Sequence, residues 1–531
     1  MSDKLYYIAE ESAKGGFIIF LGNTSATFIS ALGAIVIAKL LGPADYGLYS
    51  LSLAVPSLIA AVADLGVSPA LTWFSVKLRD EHKPSQLAIM LKTGFLIKLL
   101  IGLLLSSATL MSSKEIASWL LKRPETGVYL MLASTSILLQ AIFSVAYSSL
   151  IGLNKMEKVS LMLIAQSIVK AFLSTILILI GLSVLGGILG YLSGYAIAAI
   201  LGLTILLDHY GKLDKDSNGG GIGYAAAAMI KYGFPAYIAA LLATLLTQYQ
   251  NLILAHFASN TEIGNFNASL NFLALINLIA FPITTVLFPA FSALNPNSDD
   301  DALKSMFTLS VKYVSLLLVP SSLFVAFLSK EFISLTYGES YALAPLYLSF
   351  YMGIFLLTGL GYLVLTNLFN GLGETKETFN IILIQVLAFL PAAPFAVKML
   401  RVIGLITALI ASNLLGIIYG LIQAWRKYRL KIGAISGLKI YSAAGISALT
   451  LAAASFNLPA SFSMCVKGIL YSLTYLTAVA FIGAVGKQDL ANLTQILNKV
   501  RIVGFIAKPI LSYLGHLINF RQRLLKYNHR R

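Results

Sequence analysis

Two lysines stand where lysines are rare. Lys98 lies about 12 residues into one long apolar run and Lys170 about 11 into another, roughly 16–18 Å deep at 1.5 Å per helical residue. An ionisable side chain inside hydrocarbon costs about 2.5–3.5 kcal/mol on insertion scales, so by default it faces a cavity and does something there. An ammonium is a point charge of the kind that phosphate groups pair with. The competing reading is that one lysine forms a structural ion pair with Asp64, the acid of another run. Asp64 orients a lysine, binds a proton or cation, or reaches interfacial water; all three readings stay open. Lys92 sits a turn or two from the end of its run and can extend its ammonium to the interface.

Uncharged polar residues gather further along the chain: Gln248, Gln250 and Asn251 in a seventh run, Asn267, Asn271 and Asn277 in an eighth. Asn267 and Asn271 are four apart and share a helical face. Amides donate and accept, which suits sugar hydroxyls. The alternative is helix-to-helix bonding, at about 1 kcal/mol per bond. Gln385, in an eleventh run, joins the candidate set because it falls opposite Gln166 in an internal repeat described below. Gly186, Gly190 and Gly194 form a ladder of small residues for close helix packing.

Other chemistries find no support. Cys465 is the single cysteine, so no internal disulfide or thiolate cluster is expected. His256 is isolated, and no metal site is expected. No His-Glu-x-x-His, Gly-x-Ser-x-Gly or Walker-type pattern occurs, so no catalytic residue is named and the chain is not expected to be an enzyme.

The elements that must position these residues are transmembrane helices. Of 531 residues, 58% are hydrophobic and only 11% charged, against roughly a quarter charged in a soluble protein. Apolar blocks of about 20 residues recur along the chain, each long enough for a ~30 Å hydrocarbon core. About 14 such segments are expected, making an all-α polytopic membrane protein. Acidic residues Asp3, Glu10 and Glu11 precede the first run, so it reads as a first span rather than a cleaved signal.

The net charge of +16 would suggest nucleic acid in a soluble chain. Here the basic residues sit in alternate loops, about 27 on one side against roughly 8 on the other, which is a topology signal. Both termini are therefore expected on the cytoplasmic side of the cell membrane, with no nucleic-acid partner. Lys114, Lys122 and Arg123 fit this poorly and are expected in a short surface helix with Trp119. The tail repeats Leu490, Leu493, Leu497, Val500, Ile506, Ile510, Leu514, Leu517 and Ile518 at helical spacing between basic residues. It reads as an amphipathic helix on anionic inner-leaflet lipids, with a span over residues 502–520 as the alternative.

The chain repeats itself at an offset of about 217–219 residues. Asp45-Tyr46-Gly47-Leu48-Tyr49 corresponds to Glu262-Ile263-Gly264-Asn265-Phe266, and Leu150-Ile151-Gly152-Leu153-Asn154 to Phe369-Asn370-Gly371-Leu372-Gly373. With six spans per repeat both halves have one orientation, the arrangement of parallel-repeat transporters. The expected division is an N-lobe (1–207), a cytoplasmic linker (208–233) holding the flexible run Asn218–Gly223, a C-lobe (234–425), two further helices (426–486) and the basic tail (487–531).

Ala38-Lys39-Leu40-Leu41-Gly42-Pro43-Ala44-Asp45-Tyr46-Gly47-Leu48-Tyr49, with Ala63-Asp64-Leu65-Gly66-Val67, resembles the first two helices of polysaccharide-type flippases. These belong to the multidrug/oligosaccharidyl-lipid/polysaccharide exporter superfamily. Phe281-Pro282-Ile283-Thr284-Thr285-Val286-Leu287-Phe288-Pro289, Leu335-Thr336-Tyr337-Gly338-Glu339-Ser340-Tyr341 and Asn370–Lys376 extend the similarity over about residues 10–430. The resemblance implies two six-helix lobes around a central cavity, and an O-antigen-type flippase that moves a polyprenyl-diphosphate-linked oligosaccharide from the cytoplasmic to the outer leaflet. Lys98 and Lys170 then become the expected headgroup ligands, and glycan-assembly proteins candidate partners. Relatives often carry an aspartate in the seventh helix, where Thr247-Gln248-Tyr249-Gln250-Asn251 has none. No cofactor is expected, and coupling to Na⁺ or H⁺ stays open. The rivals are a cation-coupled multidrug exporter, disfavoured because Asn23, Thr24, Ser25 and Thr27 bring no acid to the first helix, and a scramblase or non-transporting scaffold.

Overall fold

The computed structural model describes residues 2–213, 221–296, 298–454, 460–498 and 501–528. The glycine run at 218–220 and the side chains of Leu493, Leu497 and Ile506, like Val500, lie outside the described residues. Among the described residues there is helix and no strand. We number the principal helices α1 (Ser2–Val62), α2 (Val67–Asp80), α3 (Pro84–Met111), α4 (Thr135–Gly152), α5 (Met156–Leu177), α6 (Ser183–Gly211), α7 (Ile222–Phe257), α8 (Asn260–Leu270), α9 (Leu273–Ser292), α10 (Asp300–Phe327), α11 (Thr375–Tyr428), α12 (Ala434–Ala453), α13 (Ala460–Ile482), α14 (Lys487–Asn498) and α15 (Arg501–Asn528).

Ten helical stretches among the described residues are long and apolar enough to cross a bilayer, or 11 if a bent pair, Ala344–Leu360 with Val364–Gly371, counts as one crossing. The expected 14 is not reached by this count. The reason is visible in the helices themselves. Stretches of 45, 56 and 54 residues (Ile18–Val62, Met156–Gly211 and Thr375–Tyr428) each run through what the sequence divides into two spans, about twice the ~20 residues one crossing needs. Each is interrupted by residues off helical geometry: Gly42 (φ 75, ψ 168) in the first, Gly181 (φ 97) with Ser183 (φ 42, ψ −125) in the second, and Arg401 (φ 53, ψ −133) in the third. At Gly42 the backbone adopts a conformation that only glycine takes without strain, just ahead of Pro43, which has no N–H to donate. The stretch 501–528 is not among the apolar ten.

By internal contacts the chain forms two units. The first holds Met1–Ala274, Thr336–Ala344 and Val386–Ala408; the second holds Leu275–Leu335, Pro345–Gln385 and Leu409–Arg531. In the first, α5 packs along α1 and α6, and α8 packs on α1. The glycine ladder makes this possible: a β-carbon on Gly190 would lie 2.3 Å from Ser174 N, and one on Gly194 2.8 Å from Lys170 Cβ. Trp119 is 84% exposed in a short helical stretch after α3.

In the second unit, α12 and α13 pair, and α15 packs on α13. Leu514 and Ile518 are buried in a cluster with Ala443, Ala444 and Val479. Asp489 of α14 receives Lys312 Nζ on both oxygens at 2.7 Å. The tail is thus seated on the protein along one face.

The repeat has a geometric counterpart inside each unit. A β-carbon on Gly152 would strike Ser75 Cβ at 2.5 Å and Thr72 O at 2.6 Å; one on Gly371 would strike Phe291 Cβ at 2.6 Å and Phe288 O at 3.0 Å. Equivalent glycines serve equivalent helix contacts.

Candidate functional site

A polar cavity of about 250 Å³ lies within the first unit. Its walls come from α1 (including Tyr46, Tyr49 and Ser57), α5 (Lys170), α6 (Tyr191), α7 (Gln248, Asn251), and α8 with the residue that follows it (Asn267, Asn271). Five of the ten sequence candidates therefore meet here, from segments up to 101 positions apart in the chain (Lys170 to Asn271).

Lys170 is brought in by the glycine ladder. Gly194 lets α6 approach the backbone of α5, and Tyr191, next to Gly190, places its ring under the lysine with Nζ 5.7 Å from the ring centroid. A ring face attracts a cation but leaves its charge uncompensated. Lys170 has no ion pair among the described residues, and no carboxylate lines the cavity. Tyr191 continues edge-on to Tyr195, with centroids 5.1 Å apart, and Tyr46 stacks with Tyr49 at 5.8 Å.

The amides form an ordered wall. Asn267 Nδ2 donates to Asn251 Oδ1 and to Ile263 O, both at 2.9 Å. Asn271 Nδ2 donates to Tyr46 OH at 3.1 Å and Tyr337 OH at 3.0 Å. The helix carrying them is set by a capping box, Ser259 with Glu262, which satisfies its first free N–H groups. Asn265 Oδ1 accepts from Leu343 N and Ala344 N, holding the 336–344 segment against α8.

The other five candidates lie elsewhere. Lys98 is buried, 2% exposed, and its ammonium pairs with Asp64, which also accepts from Ser68 Oγ. Neither lines the cavity. Asp64 belongs to the turn between α1 and α2, where Leu65 and Gly66 have positive φ. That turn is clamped by α7: Gly66 and Gly233 meet backbone to backbone, and Tyr237 OH donates to Val62 O at 3.0 Å. Lys92 is exposed on α3. Gln250 is buried and donates to Leu246 O at 3.1 Å. Gln385 is in the second unit, packed against Gly416.

Sequence reasoning did not name Tyr46, Tyr49, Tyr191 or Ser57 as site residues. Tyr46 and Tyr49 belong to the repeated Asp-Tyr-Gly-Leu-Tyr motif, and Tyr191 follows Gly190 in the chain. A tyrosine in an apolar helix carries little signal of its own, because interfaces and cores use it freely.

A family model described as a polysaccharide biosynthesis protein matches residues 36–345, more than half of the chain. The chain belongs to this family. The matched stretch contains every residue named above as lining the cavity. The fold is that of the multidrug/oligosaccharidyl-lipid/polysaccharide superfamily. The lipid II flippase MurJ in an inward closed conformation superposes with a TM-score of 0.72 at 16% identity, over 87% of this chain and 98% of that one. An inward-facing multidrug resistance MATE family transporter gives 0.67 at 15%, over 76% and 94%. A superfamily transporter from Pyrococcus furiosus gives 0.56 at 14%, over 78% and 94%. No curated protein sequence matches the chain.

Proposed function

We propose that this protein is a flippase for a polyprenyl-diphosphate-linked oligosaccharide, carrying it from the cytoplasmic to the outer leaflet by alternating access. The single observation behind the choice of substrate is Lys170: a cation with no ion pair among the described residues, in a cavity whose other polar lining is amides, tyrosines and serines. A diphosphate supplies the missing negative charge and a glycan the hydrogen-bonding groups. The likeness to MurJ, a lipid II flippase by description, supports the reading. A cation-coupled drug exporter of the same fold is less well served, because a cationic drug would meet Lys170 and no acid.

In this reading the chain crosses the cell membrane 14 times, each interrupted helix counting as two crossings and the bent pair as one, with both termini cytoplasmic and the basic tail against anionic inner-leaflet lipids. An inside-negative potential then assists the outward step, by roughly 4–5 kcal/mol for two negative charges at 100 mV. Lys98 and Asp64 hold the α1–α2 turn in place rather than touching the diphosphate.

The test is reconstitution into liposomes with a fluorescent polyprenyl-diphosphate oligosaccharide in both leaflets, followed by chemical reduction of the outer label. Protein-dependent loss of the protected fraction supports the proposal. Absence of flipping, together with efflux of cationic dyes by the same preparation, overturns it.

A further inference from the structure

We propose that the cavity is polarised: Lys170 takes the phosphate, and the side-chain oxygens of Asn267 and Asn271 take hydroxyl or N–H donors of the sugar beside it, so that these two oxygens select for a glycosylated lipid. The proposal rests on the flippase reading above and adds which residues read the glycan.

The orientation of both amides follows from their partners. Ile263 O has no proton to give, so the end of Asn267 facing it at 2.9 Å is the NH2 group; the second N–H goes to Asn251 Oδ1. Tyr337 gives its one proton to Ala268 O at 3.2 Å, so its oxygen accepts from Asn271 Nδ2. The second N–H of Asn271 goes to Tyr46 OH. Both donors of each amide are thus engaged inside the protein. Their carbonyl oxygens accept nothing from the described residues, and both residues line the cavity.

A cavity-facing acceptor that no protein group engages is open to a donor carried by a ligand. Amide oxygens repel phosphate oxygens and attract O–H and N–H groups, the inventory of a neutral saccharide. The only cation in the lining is Lys170, on a different helix from the two asparagines. Charge and hydrogen-bond polarity therefore assign the two ends of a phosphate–sugar unit to different residues. Tyr337 acts through Asn271 and is a positioning residue.

The experiment uses the full-length protein in proteoliposomes and two probes: a polyprenyl diphosphate bearing one N-acetylated hexose, and the same lipid diphosphate with no sugar. The readout is the ratio of their flipping rates at subsaturating lipid. Asn267→Leu and Asn271→Leu each lower the ratio by about tenfold, the worth of one hydrogen bond. Tyr337→Phe keeps the ring and removes only the oxygen that holds Asn271; it lowers the ratio in the same direction. Lys170→Met slows both lipids and leaves the ratio within about twofold. Equal loss of both lipids in the asparagine and Tyr337→Phe variants would mean a merely structural role and overturn the proposal, as would a lowered ratio in Lys170→Met. No movement of either lipid by the unmodified protein overturns the flippase reading itself, and this division with it.

Discussion

Gly47 and Gly264, equivalent positions in the two halves of the repeat, press against each other where α1 crosses α8. A β-carbon on Gly47 would lie 2.0 Å from Asn260 O, and one on Gly264 1.7 Å from Pro43 O. These neighbours are backbone atoms and cannot rotate away. Gly47→Ala and Gly264→Ala should each destabilise the protein by about 1–3 kcal/mol or more, the range for overpacking a tight contact. Thermal unfolding in detergent, followed by tryptophan fluorescence, checks this. Because Tyr46 and Asn267 flank the crossing, both variants should also slow transport.

Lys98 and Asp64 form the second relationship with a measurable consequence. Removing one partner of a buried pair strands the other's charge, at about 3–5 kcal/mol, whereas replacing both with apolar groups is often neutral. Lys98→Met and Asp64→Leu should each lower the melting temperature clearly, and the double variant should recover most of the loss. A double variant no better than the worse single one would contradict the pairing.

Lys170 should behave in the opposite way. It has no ion pair to lose among the described residues, so Lys170→Met should fold at least as well as the unmodified protein. A charge-assisted hydrogen bond is worth about 1.5–3 kcal/mol, so its flipping rate for a lipid diphosphate should fall by roughly 10- to 100-fold. Parallel melting and flipping measurements separate the two lysines: Lys98 through stability, Lys170 through transport.

At the tail, Asp489 receives Lys312 on both oxygens, Gly486 N at 2.8 Å and Tyr313 OH at 3.3 Å. The two charged side chains are 14% and 11% exposed. Asp489→Ala leaves Lys312 without its counter-charge, and the seating of α14 should weaken by about 3 kcal/mol. Faster tryptic cleavage beyond residue 487, with the rest of the chain resistant, is the expected result. Cleavage at an unchanged rate would show that Leu514 and Ile518 alone hold the tail.

The outlines of the site were legible along the chain, and its membership was not. Gln248, Asn251, Asn267 and Asn271 stand out because polar groups in apolar runs are costly, and that cost is paid residue by residue. Lys98 and Lys170 look alike by the same measure, each near the middle of its run. Depth is a local property, but which way a side chain faces depends on how its helix is rotated against its neighbours, at 100° per residue. Gln250, two residues from Gln248, faces a different way and bonds its own helix.

By itself, then, the sequence settled what depends on composition and period: a helical membrane protein, its repeat, and the ladder Gly186, Gly190 and Gly194 where two helices touch. Those follow from the cost of desolvating backbone and charge, which every residue meets in hydrocarbon whatever its neighbours. Tertiary structure alone decided the partners. It set Asp64, 34 positions away, against Lys98, laid the Tyr191 ring face against Lys170, and drew Tyr46, Tyr49 and Tyr191 into one cavity. It also decided where consecutive spans run on through one or two off-helix residues. Pairing across helices depends on matched depth and rotation of two elements at once, and no single stretch of sequence contains both.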